Sequence, residues 1–97
     1  MTFVKPSGKL SWDANTESDL AGYRVYVGQT SGQYGSPISL GKVTEISLAS
    51  LGILTDGNYF VAMTAVDVAG NVSGFSVELP FVLDGTIPAA PVNLRVQ

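Results

Sequence analysis

The chain has 97 residues, 45% of them apolar and only 13% charged, with five Lys and Arg against eight Asp and Glu. That balance excludes disorder driven by charge and fits one domain, long enough to hide about two-thirds of the unfolded chain's surface. Cys and His are both absent, which removes disulfides, thiolate metal sites, thiol nucleophiles and the usual general base near neutral pH.

The N-terminal stretch MTFVKPSGKLSWD has no basic region followed by an apolar core, so no signal peptide is read there. Leu10 and Trp12 then share one parity, with Ser11 and Asp13 on the other, as in a half-buried strand. A turn at 15–18 leads to Tyr23, Val25 and Val27 on one face, opposite Arg24 and Tyr26. The Gly- and Ser-rich stretch 28–37 reads as a long loop. Ile46 and Leu48 oppose Ser47 and Ala49 beyond a turn at 41–42. ISLASLGIL comes nearest to a helical repeat, but Gly52 and its β-branched residues spoil it. After TDGN, Tyr59, Val61, Met63 and Ala65 form the longest alternating series. AGNVSG marks another turn, Val77 and Leu79 flank Glu78, and DGTIPAAP punctuates residues 84–91. Short alternating stretches between closely spaced turns predict an all-β sandwich or barrel with almost no helix. The predicted core is Leu10, Trp12, Tyr23, Val25, Leu48, Tyr59, Val61 and Met63.

Several site chemistries can be weighed from residue types alone. In DANTESD, Asp13, Asn15, Glu17 and Asp19 stand at alternate positions, as oxygen ligands of a calcium loop do. Such a loop also needs Gly at its sixth position and Glu at its twelfth. Here those positions hold Ser18 and Arg24, and the flanks read as strands. The stretch is therefore expected to be a solvated turn, where Asp and Asn bond their own backbone. Serines are plentiful, but a Ser-His-Asp relay is impossible without His. DVAGNVSG lacks the spacing of a phosphate loop. No enzyme activity, cofactor or metal is expected. The basic residues Lys5, Lys9, Arg24, Lys42 and Arg95 are scattered, so nucleic acid and anionic membrane surfaces are not expected partners. Nor does any apolar run approach the ~18 residues of a spanning helix, so membrane insertion is not expected.

The aromatic residues leave two readings open. With Tyr23 and Tyr59 inward, parity sends Tyr26 and Phe60 outward, and Tyr34 sits in the long loop. An apolar outer face marks a protein contact or a sugar-stacking platform. Equally, strands carry such residues because they fit a pleated surface.

KLSWDAN, LAGYRVYVG and ISLASLGILTDGNYFVAMTAVDVAGNVSGFS, in that order, resemble the fibronectin type III family. Trp12 carries the likeness on the family's second strand, and Tyr23 and Val25 carry it on the third. Leu51 stands eight residues before Tyr59, and the sixth-strand run is Tyr59, Val61, Met63, Ala65, Asp67, Gly70 and Ser73. The resemblance implies a two-sheet antiparallel Greek-key sandwich over residues 1–83, with Trp12 central, and adds Leu51 to the predicted core. It also implies that Tyr59 forms a tyrosine corner and that the strands bearing Tyr26 and Phe60 are neighbours. SWDANTESDLAGYRVYVG is especially similar to modules of bacterial surface and secreted proteins, and to phage tail and virion modules.

The expected function is thus a non-enzymatic spacer or protein-interaction module of a larger bacterial extracellular or cell-surface protein. One alternative is a phage virion surface component, either a capsid decoration or a tail-fibre module. The other is a carbohydrate-binding module using Tyr26, Phe60 or Tyr34. Two features depart from the family: only MTFVK precedes the second strand, and residues 84–97 form a Pro-rich linker and strand-like tail. Leu94 and Val96 alternate in that tail as a first family strand would. Either the tail belongs to a following repeat, or it pairs with an exposed edge of its own or a neighbouring copy.

Overall fold

Residues 2–85 and 91–96 are described by a computed structural model. Two sheets organise the chain. The strands are β1 (Thr2–Val4), β2 (Lys9–Ser11), β3 (Leu20–Gly28), β4 (Ile38–Leu40), β5 (Glu45–Ser47), β6 (Gly57–Asp67) and β7 (Leu79–Leu83). The larger sheet runs β1-β7-β6-β3-β4, and among the described residues the smaller holds β2 and β5. All neighbours pair antiparallel except β1, which lies parallel to β7. The architecture is all-β, with two sheets as in a sandwich, and its helical content among the described residues is one 3-10 turn, Ala49–Leu51.

Period-two alternation explains which faces meet. Val25, Tyr59, Val61, Phe81 and Leu83 from the large sheet pack with Leu10, Leu48, Leu51 and Ile53 from the opposite layer. Ile53 joins this layer because the helical turn ends at Gly52, whose φ of 78° is left-handed backbone that glycine adopts freely. The Ile53 N–H then donates to the Leu48 carbonyl, turning its side chain into the core. Tyr59 and Phe81 stack at 5.8 Å, and Trp12 meets Tyr23 edge to face at 5.5 Å.

Two expectations need correction. Trp12 and Met63 are half-buried against the core rather than within it, because the smaller sheet is two strands wide and does not cover the large sheet's full breadth. The last strand begins at Leu79, and Val77, expected to alternate with it, is 93% exposed. The cause is a local mismatch beside β6. The Ser73 and Ser76 N–H groups donate to the Ala65 and Met63 carbonyls, while their hydroxyls accept from the Ala65 and Met63 N–H groups. Three steps along this segment thus match two along β6, and parity is lost in the manner of a bulge. Residues 91–96 form no strand within the chain, and Leu94 and Val96 are exposed.

Candidate functional site

The outer face of the large sheet gathers the aromatic residues that the core does not use. Tyr26 lies on β3 opposite Ala62 of β6. The following loop folds back on β3: the Gln33 N–H donates to Thr30 O, and Gly35 N–H to Val27 O, both at 3.0 Å. That return brings the Tyr34 ring to 6.2 Å from Tyr26. It also requires Gly28, since a Cβ there would stand 1.9 Å from the Gln33 carbonyl oxygen.

Phe75 completes the group. Its ring meets Tyr26 edge to face at 4.8 Å and Tyr34 at 5.7 Å, yet the residue remains 60% exposed. Beneath the rings, Ala62 and Thr64 are buried although their parity is outward. Phe60 lies further along β6, opposite Gly28 and Pro80, and is half-buried.

One carboxylate ties this surface together. Glu78 accepts from the Ser31 hydroxyl at 2.6 Å, the Gly32 N–H at 2.9 Å and the Tyr34 hydroxyl at 2.6 Å. Hydrogen bonds to the ionised form favour it. The Ser31 hydroxyl, then the Tyr34 hydroxyl and the Gly32 N–H, hold Glu78 below the usual carboxylate range. The same bond to Glu78 raises the Tyr34 hydroxyl, helped by desolvation and the carboxylate charge. The arrangement is a charge-assisted clamp joining the 28–37 loop to the segment before β7. At the end of β6, Asp67 is depressed likewise, first by the Asn71 side chain and then by the Asn71 N–H.

Of the aromatic residues expected outside, Tyr26 and Tyr34 come together and Phe60 stands apart from their ring contacts. Phe75 and Glu78 were not anticipated. Phe75 sits where the serine-mediated mismatch cancels parity, and nothing near Glu78 in sequence marks it as a clamp for a loop 44 to 47 residues earlier. Leu94 and Val96 take no part in this surface.

The DANTESD stretch is exposed throughout, and the Asn15 N–H donates to the Tyr23 hydroxyl at 2.8 Å. Among the described residues, no three Asp or Glu side chains are grouped to hold a metal ion. No helix among them is long and apolar enough to cross a membrane. A groove of about 360 Å3 opens along the uncovered side of the large sheet, lined by Leu10, Trp12, Met63, Phe75, Val77 and Leu79 among others. The Trp12 Nε1–H is buried there without a hydrogen-bond partner among the described residues. No family model, curated protein or solved structure matches the chain.

Proposed function

We propose that this chain is a fibronectin type III-like sandwich acting as a spacer and protein-interaction module in a bacterial extracellular or cell-surface protein. The observation that carries the reading is the outward-facing group of exposed Phe75 and half-buried Tyr26 and Tyr34, tied by Glu78 to the segment before β7. Aromatic rings held in one conformation supply contact area at little entropic cost, as interface anchors do. The family reading draws support from the Tyr59 hydroxyl, which donates to the Thr55 carbonyl at 2.7 Å, as a tyrosine corner would. The order of strands in the two sheets also fits, with β1 beside β7 as the departure.

A carbohydrate-binding role uses the same rings but fits them less well. Their planes meet at 55°, 78° and 49°, so they pack into each other's edges rather than offering one flat platform for a sugar ring. A virion surface is the alternative setting for the same module. Proteomic analysis of purified particles and of cell envelopes separates the two.

The functional test is a panel of soluble and immobilised glycans together with single-molecule extension of the chain. The module reading expects one all-or-none unfolding event and no glycan retention. Glycan binding that disappears in Tyr34→Ala and Phe75→Ala would replace it with the carbohydrate reading.

A further inference from the structure

The smaller sheet has an open side. The Trp12 N–H donates to Thr44 O and the Leu48 N–H donates to Gly8 O, each at 3.0 Å. With Leu10 opposite Ile46 between them, Gly8, Leu10 and Trp12 turn their peptide groups toward β5. Lys9 and Ser11 therefore present N–H and C=O groups on the other side, where no backbone partner meets them among the described residues. An edge of that kind is a template for another strand.

Beside this edge lies an apolar trench. Leu10, Leu79 and Phe81 line a recess of about 210 Å3 at one end. Trp12, Phe75 and Val77 belong to the larger groove that continues it. The orphaned Trp12 Nε1–H belongs to the same place. A strand laid here would pair with Lys9 and Ser11 and set one row of side chains over the trench.

The chain itself carries a segment of matching chemistry. In PVNLRV, Val92, Leu94 and Val96 alternate with Asn93 and Arg95, and the three apolar residues are 81%, 93% and 99% exposed. As a strand it would turn one row to the trench and the polar row to water. Those exposures also show that the segment is not seated on the β2 edge of its own chain.

We propose that Pro91–Val96 of one copy adds as an outer strand along β2 of a second copy, linking chains head to tail. This rests on the reading of the chain as an interaction module and names the partner. The contact is heterologous, so it propagates or closes into a ring. One local change is required: Asn93 has a φ of 56° and its carbonyl accepts from Arg95 Nη1 at 3.1 Å. Asn moves readily between that region and extended backbone.

Sedimentation velocity of the 97-residue chain, from about 10 μM to about 1 mM, tests the proposal across weak affinities. Two variants divide the contact. Leu94→Asp spoils the tail. Lys9→Pro removes an outward N–H at the first residue of β2, a tolerated place for Pro. The wild type is expected to associate with rising concentration, and each variant alone to do so at least tenfold more weakly. An equimolar mixture is expected to form a one-to-one complex, because one variant keeps the edge and the other the tail. Hydrogen exchange at Lys9 and Ser11 gives the same reading without an edge variant: protected in the wild-type assembly, unprotected in Leu94→Asp. A wild type that stays monomeric at the highest concentration overturns the proposal. So does association indifferent to both variants, or a monomer with protected Lys9 and Ser11 amides, which would place the tail on its own edge. Monomeric behaviour leaves the glycan and extension results standing, so the two readings fail separately.

Discussion

The Tyr34 hydroxyl donates to Glu78 Oε1 at 2.6 Å, across 44 residues of sequence. This bond joins the long loop after β3 to the segment that enters β7, and it holds the outer aromatic group in place. Its two members shift in opposite directions, Glu78 down and Tyr34 up, because one bond favours the carboxylate and the protonated phenol together.

Stability should therefore depend on pH at both ends. The Glu78 value is depressed on folding, so its contribution is full above the unfolded glutamate value and is lost as pH falls through the folded value. Asp67 adds to the same acid limb. The Tyr34 value is raised, so its contribution is full below the unfolded tyrosine value and is lost as pH rises through the folded one. A plateau in Tm from about pH 5 to about pH 10 is expected, with a shallower acid limb in Glu78→Gln. Superimposable Tm profiles for wild type and variant would rule out the clamp.

Tyr59→Phe removes the donor to the Thr55 carbonyl while keeping the buried ring stacked on Phe81. A loss of about 1 kcal/mol is expected, the usual worth of such a bond. That corresponds to roughly 4–8 °C in Tm for a domain of this size, readable by calorimetry. An unchanged Tm would mean that the corner contributes nothing.

Leu83→Ala and Val77→Ala separate the observed final strand from the one the alternating pattern suggests. Leu83 is fully buried at the end of β7, and its truncation should cost about 2–5 kcal/mol in urea unfolding. Val77 is 93% exposed, and its truncation should stay within about 0.5 kcal/mol. Equal losses would contradict the placement of β7.

Gly28→Ala puts a methyl group 1.9 Å from the Gln33 carbonyl oxygen, a backbone atom that moves only with the whole loop. A loss of about 1–3 kcal/mol is expected, as for overpacking elsewhere. The near-ultraviolet circular dichroism of the tyrosines should change with it, because Tyr34 leaves Tyr26 and Glu78. A stable variant with an unaltered spectrum would show that the close approach is dispensable.

Composition and local alternation determined much on their own. The absence of Cys and His removed whole classes of chemistry before any folding was considered. Side chains alternate because the strand is pleated, so the inward positions of Leu10, Tyr23, Val25, Leu48, Tyr59 and Val61 could be read from neighbours in sequence. Trp12 and Met63 could not be assigned their half-burial in that way, because it depends on how far the opposite layer extends, and pairing leaves that layer two strands wide. The outer cluster was legible only in part. Tyr26 followed from parity and Tyr34 from its loop, whereas Phe75 and Glu78 were placed by serine hydroxyls standing in for backbone partners along β6. That substitution spends three residues where a ladder spends two, and its result appears only when the two segments lie side by side. Local pattern decides which face a residue presents; distant backbone pairing decides what covers it.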